Sequence, residues 1–472
     1  MDKIDLDGLM GIWFLPRIDK SQINGLLCIE NDVIVLKTTE QFVGIEDLQV
    51  ETYSAIVGFT SNGKRITLLN CAKPSQKVNM PGMIEFIYRP DTIVVGKQLS
   101  EESELVLVNI SAHYFGLEKW LDERPFTINQ NSQGREISLN YKMSSSHICH
   151  LEGITVYTEN TCHCNCEIYD TFNLCQSTTF KIEFDDVQSW NRSLNELYDL
   201  GSFLTLCMGC VSKIDSVQGT MSDGTKIEII QNFPSDSDPK LKASFFIDFR
   251  DISNNFEDCL RIWWNKKDEI SPVIGYFIEA HSSSVNIVSG FLKMVQALES
   301  YSRKLRKSNL IPQEEHAKRI TRLTAAIGNE QDKKWLEDVL ATPILNEPSC
   351  QQRIKALFIE VAKFLGISSK QLKSLSYKIV NTRNYYTHFN DSLKKDLLSD
   401  DKMFYSITLM KFVLRSLLMK ELGLDDSYIS MKLDEDTELA IAKGELGVAP
   451  KFVPIKVIKK KSSEPVDTKN NN

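Results

Sequence analysis

The feature that most constrains this chain is a change of hydrophobic period near Pro272. Before it, apolar residues come in short runs separated by turn-forming residues. After it, they recur at the spacing of one helix face. One layer of structure cannot serve both periods, so the pattern predicts an α+β protein. A β-rich N-terminal domain is expected over residues 1–275, an all-α helical bundle over 276–440, and a disordered basic tail over 441–472. With 472 residues the chain also exceeds one ordinary core.

In the first part, Gly11–Pro16 opens a strand, and Gly25–Ile29 and Val33–Leu36 flank the polar turn Glu30-Asn31-Asp32. Ala55–Thr60 and Ile66–Leu69 flank Asn62-Gly63, a dipeptide suited to the positive φ angles of a tight hairpin. Further strands are expected at Leu105–Ile110, Ile154–Thr158, Phe180–Phe184 and Phe245–Phe249. Gly116–Leu121 reads as a short helix carrying Trp120, Ser189–Cys207 as an amphipathic helix covering the sheet, and Phe256–Trp264 as another helix.

In the second part, Ser282–Ser284 can cap a helix whose apolar face is Val288, Phe291, Leu292, Val295 and Leu298. Pro312 followed by Glu314 and Glu315 suits a helix start. Ile354, Leu357, Phe358, Val361 and Leu365 form one run ended by Gly366. Ser368 with Gln371 is a capping-box pattern for a helix carrying Leu372, Leu375 and Ile379. Met403, Ile407, Met410, Leu414 and Leu417 mark a further helix ending at Gly423.

That capped helix runs into Arg383-Asn384-Tyr385-Tyr386-Thr387-His388. A guanidinium grips a phosphate through a forked pair of charge-assisted bonds, and an imidazole moves a proton near neutral pH. Those two groups are what metal-free RNA cleavage requires. A base takes the proton of a ribose 2′-OH, the oxygen attacks the neighbouring phosphate, and a cation stabilises the developing charge. Five positions on a regular helix separate Arg383 from His388 by roughly 140°. Either the helix ends or bends near Thr387, or a second copy in a dimer completes the site. Asn384 lies four before His388 and can orient its ring. The same residues also suit an ion-pair and capping cluster at a helix end, and their spacing leaves both readings open.

The stretch Arg383–His388 resembles the R-x4-6-H motif of HEPN domains, with the polar Asn384 after the arginine. Ala297-Leu298-Glu299-Ser300-Tyr301 is similar to the first helix of the Apea-like HEPN group. The N-terminal part resembles the domain paired with that group, through Gly11–Pro16, Gly25-Leu26-Leu27, Leu117–Leu121, Ile262-Trp263-Trp264 and Ile270–Ile274. The resemblance implies an antiphage protein of the ApeA type, whose HEPN bundle is a dimeric endoribonuclease that arrests or kills the infected cell. It implies Arg383 and His388 as the catalytic pair with Asn384 in support, and structured RNA, tRNA above all, as substrate. The N-terminal domain is then expected to keep the nuclease silent until a phage component binds.

Lys378, Tyr386, Lys394 and Lys395 are expected to contact RNA, by charge or by stacking. Lys318, Arg319, Arg322, Lys373 and Tyr385 suit the same roles, yet solvated helix faces and packing explain each equally well. The net charge of −8 excludes a general nucleic-acid coat but not a local basic site. His147, Cys149, His150, Cys162, His163, Cys164, Cys166 and Cys175 contain enough soft ligands for structural zinc, but the C-x2-C pairs of a zinc ribbon are missing, Cys207-x2-Cys210 standing alone at a helix end. The 11 cysteines are otherwise expected to be reduced core residues. No cofactor motif is present: neither a phosphate-cradling glycine loop, a nucleophile elbow nor an H-E-x-x-H helix. With no signal-peptide core at the N-terminus and no bilayer-length apolar run, a cytoplasmic protein is expected. The competing expectations are a non-catalytic HEPN module that binds RNA or a partner, and a zinc-stabilised binding protein.

Overall fold

The computed structural model describes residues 6–16, 22–42, 52–78, 82, 84–131, 134, 136–167, 171–232, 241, 245–280, 286–306, 309–340 and 343–450. Internal contacts divide the chain into two compact units, Met1–Ser283 with Glu421–Gly423, and Ser284–Lys420 with Leu424–Asn472.

The first unit begins with β1 (Leu9–Phe14), β2 (Ile23–Glu30), β3 (Val33–Thr38), β4 (Thr52–Thr60), β5 (Arg65–Val78), β6 (Ile84–Arg89) and β7 (Thr92–Val95). The antiparallel order β5-β4-β1-β2-β3-β6 closes on itself, because β6 also pairs with β5. The length of β5 permits this. Its first part pairs with β4 and β7, and after a register shift between Ala72 and Ser75 its second part pairs with β6. Closure removes exposed strand edges and creates an interior filled by Trp13, Leu27, Leu36, Ile56, Leu68 and Tyr88. A Cβ at Gly58 would collide with the Trp13 ring, so glycine is required there. Both expected hairpins form, with Asn31 (φ 51°), Asp32 (φ 65°) and Gly63 (φ 78°) in the left-handed region.

Beyond the barrel come β8 (Val106–Tyr114), a separate hairpin of β9 (Phe126–Gln130) and β10 (Ile137–Tyr141), then β11 (Ile148–Leu151), β12 (Ile154–Glu167), β13 (Thr171–Ser189), β14 (Ile214–Met221) and β15 (Lys226–Gln231). They extend the sheet from β7 in the order β15-β14-β8-β13-β12-β11. Among the described residues four α-helices accompany it: α1 (Leu117–Leu121), α2 (Trp190–Met208), α3 (Phe249–Ile252) and α4 (Phe256–Glu279). As expected from its period, α2 lies against β8 and β13, and α4 packs on α2 and β11. Trp120, Phe203, Phe249 and Phe256 form the aromatic centre of this layer, and the Trp120 indole donates to the Ile247 carbonyl at 2.8 Å. The strand expected at Phe245–Phe249 is absent among the described residues. The Ile247 amide instead donates to the Cys207 carbonyl at the end of α2, and Phe249 opens α3. Its apolar residues are buried under helices, a demand that a strand pattern cannot be told from. Pro272 lies inside α4, so the change of period there is not a helix start.

The second unit is helical: α5 (Ile287–Leu305), α6 (Gln313–Ala325), α7 (Glu330–Leu340), α8 (Cys350–Glu360), α9 (Ala362–Leu365), α10 (Ser369–His388), α11 (Asp400–Glu421), α12 (Asp426–Asp434) and α13 (Thr437–Glu445). Asn286 caps α5 by accepting from the Val288 amide, whereas Ser282–Ser284 lie outside the described residues. The run expected as one helix ending at Gly366 is broken at Val361 into α8 and α9, and Gly366 closes it at φ 60°. Two complete capping boxes, Ser349 with Gln352 and Ser368 with Gln371, start α8 and α10. Phe412–Met419 of α11 is buried around its whole circumference. Helix α13 carries order past residue 441, burying Leu439 and Ala442, and Val448 beyond it is also buried, while the expected basic run Lys459–Lys461 lies outside the described residues. Among the described residues no helix is long and apolar enough to cross a membrane.

Candidate functional site

Helix α10 begins at its capping box, and its first turns bury Leu372, Leu375, Ile379 and Val380. Thr382, fully buried, anchors the end that follows. Its hydroxyl donates to the Lys378 carbonyl at 2.8 Å and accepts from the Leu398 amide at 3.0 Å, tying the helix to the chain before α11. Neighbouring Asn381 is 7% exposed, and its side-chain nitrogen has no partner among the described residues. A buried donor without an acceptor costs free energy, on the order of 1–3 kcal/mol.

Arg383 reaches toward α5. Its guanidinium donates to Asn384 Oδ1 at 3.0 Å and lies 3.7 Å from Glu299 Oε2. Glu299 Oε1 also accepts from Arg303 at 3.1 and 3.3 Å, and Arg303 pairs in turn with Glu347, which accepts from Arg353 at 2.8 Å. Cys350, at the start of α8, faces the same cluster. Burial first, and then the Glu299 charge, push its thiol up to about 12, against an opposing pull from Arg383. The thiol therefore stays protonated, and Arg383 sits, partly exposed, beside a preformed ionic cluster. The contacts to Glu299 and Cys350 join residues more than 30 positions apart, and only the Glu299 segment stood out in the sequence.

His388 is the last residue of α10. It is exposed, and no side chain among the described residues holds its imidazole. The expectation that Asn384 would orient this ring is not met, because Asn384 turns to Arg383. Phe389 ends the helix in the left-handed conformation at φ 52°, with its amide donating to the Tyr385 carbonyl at 2.6 Å. A bulky side chain at positive φ is strained, and Phe389 is also 71% exposed. The helix thus stops where the Arg383–His388 spacing asked for a stop or a bend. Within one chain the two residues still stand five positions apart, ~7.5 Å along the axis and on different sides.

The other expected RNA contacts fall around this helix end. Lys378 is exposed on α10. Tyr386 is half-buried with its ring edge-on to Tyr385 at 5.3 Å. Lys394 and Lys395 lie on the 3-10 turn Asp391–Asp396, where Lys394 pairs with Asp391 at 2.9 Å and Lys395 is exposed. The Asp391 carboxylate raises the Lys394 pKa.

In the first unit, one polar cluster stands apart. His113 of β8 is held between Asp215 through Nδ1 and Glu118 through Nε2, each at 2.9 Å, and Glu118 also accepts from the Thr178 amide at 3.1 Å. The bond to Asp215, then that to Glu118, raise the imidazole to about 9. The Cys/His patch is arranged differently. Cys162, Cys164 and Cys166 occupy alternate positions of β12, whereas His163, opposite Cys175 of β13, projects to the other face. Cys164 and Cys175 are exposed, and among the described residues no three His, Cys, Asp or Glu side chains converge as a metal site.

Two family models match the chain. Residues 9–263 match ApeA N-terminal domain 1, and residues 292–428 match Apea-like HEPN, a segment that contains α8, α10 and the Arg383–His388 stretch. No curated protein and no solved structure matches it.

Proposed function

The chain belongs to the ApeA N-terminal domain 1 family and carries an Apea-like HEPN domain behind it, and from that premise we propose that it is an antiphage endoribonuclease cutting RNA without a metal. The observation that carries the reading is the end of α10, an exposed imidazole with no partner among the described residues, one and a half turns beyond an arginine set in an ionic cluster. His388 takes the 2′-OH proton and Arg383 holds the attacked phosphate. The products are a 2′,3′-cyclic phosphate and a 5′-hydroxyl. Because the two residues diverge around one helix, two copies of α10 facing each other in a homodimer complete the site. Structured RNA with open loops, tRNA foremost, is the substrate, since loops present unstacked, reachable phosphates. The N-terminal unit restrains the nuclease until a phage component binds.

The test is cleavage of total RNA in EDTA by wild type and by His388→Ala, with the new ends mapped, with and without phage lysate. Cuts that persist in EDTA, bear cyclic phosphates and vanish in the variant support the proposal. Equal cutting by the variant, or none from wild type even with lysate, rejects it. A second reading has its own observation: Arg383 is already engaged by Glu299 and Asn384, as in a purely structural cluster. A non-catalytic module of that kind binds RNA or a partner and leaves RNA intact in every arm of the same assay.

A further inference from the structure

A groove of about 460 Å³ runs between α8 and α10, lined by Gln351, Gln352, Lys355, Lys370, Lys373, Ser374 and Tyr377. Its three lysines have no anionic partner among the described residues, and no carboxylate lines it. Tyr377 is 51% exposed, a large aromatic residue left half open to solvent. Gln351 is fixed at the groove floor by donating to the Ser376 hydroxyl at 3.3 Å. The walls therefore combine positive charge without an anionic partner among the described residues, amide and hydroxyl groups, and one exposed aromatic residue.

Its position on α10 links it to the helix end. Lys370, Tyr377, Asn384 and His388 follow one another at intervals of seven, seven and four residues. Each interval brings the helix back to within roughly 40° of its starting direction, so these residues share one stripe. Arg383 lies off that stripe, toward α5. Tyr377 precedes His388 by eleven residues, which is ~16 Å along the axis.

We infer that this groove is a subsite for single-stranded RNA, in which Lys355, Lys370 and Lys373 take backbone phosphates and Tyr377 stacks on an unpaired base, feeding the strand along the stripe to His388. The inference rests on the RNA reading above and adds where the substrate is held. Charge selects a polyanion, and the exposed ring favours a strand with unstacked bases over a duplex.

The experiment uses the full-length chain carrying His388→Ala, in EDTA, with a labelled oligouridine followed by fluorescence anisotropy across a salt series. Lys355→Gln, Lys370→Gln and Lys373→Gln combined should weaken binding and lower the slope of log K against log salt by about two, since each single-strand phosphate contact contributes about 0.7. Tyr377→Ala should weaken binding about tenfold with the slope kept, and Tyr377→Phe should restore it. Unchanged affinity and slope in the triple variant overturns the inference. So does a loss of self-association on size exclusion with RNA binding intact, which assigns the groove to contacts between copies. The nuclease reading fails separately: wild type that binds with these dependences yet never cuts keeps the subsite and loses the catalyst.

Discussion

His113 of the first unit is half-buried and His388 of the second is exposed, and their surroundings are opposite. His113 is clamped by two carboxylates and held protonated, its pKa at about 9. A ring fixed at both nitrogens keeps its proton through neutral pH and has no free edge for a ligand, so it serves as a tie between β8, α1 and β14. His388 has neither clamp nor cover among the described residues, and the residue after it is strained. A histidine left in that state adds nothing to stability and is available for chemistry. Sequence position distinguishes neither; the partners supplied by the fold do.

The comparison breaks or sharpens by measurement. The largest effect should come from His388→Ala, which is expected to lower RNA cleavage by about 10²–10⁴-fold with the melting curve unmoved. Altered stability with retained cleavage would reverse the roles assigned to the two histidines. Next, Trp120→Ala, emptying the aromatic centre of the first unit, should cost about 3–5 kcal/mol in denaturant titration, against no measurable cost for His388→Ala. His113→Ala should destabilise by about 2 kcal/mol near pH 6, a value reduced because its carboxylate partners are partly in water. Since the folded-state pKa lies above the ordinary 6.5, this stabilisation is complete below about pH 6.5 and disappears as pH rises through 9. Wild type and His113→Ala should therefore converge in stability near pH 9 and above; a gap that persists there refutes the ionic account. The smallest effect is that of Ser368→Ala, which removes half of the α10 capping box and should cost about 1 kcal/mol without affecting cleavage chemistry.

Much of this molecule was legible in local sequence, because the features concerned are local. The Asn31-Asp32 and Asn62-Gly63 turns need residues that accept positive φ, and Ser368 with Gln371 satisfies its own helix end within three residues. Apolar period picked out the early hairpins and the long helices, but it misread Phe245–Phe249, where burial is complete, missed the break at Val361, which has neither glycine nor proline, and did not mark short strands such as β6, β7, β14 and β15. Arg383, Asn384 and His388 were visible as a motif for the same reason, lying within six residues.

What the sequence by itself determined, then, is the succession of a β-rich and an α-helical part, the turns and caps, and the candidate pair at the end of α10. Only the tertiary structure decided that β6 returns to β5 and closes a barrel, that Glu299 and Cys350 surround Arg383 while Asn384 leaves the imidazole free, and that His113 has two carboxylates. Turns, caps and periods depend on neighbours along the chain. Ladder closure, ion pairing and the exposure of a single ring depend on residues that only folding brings together.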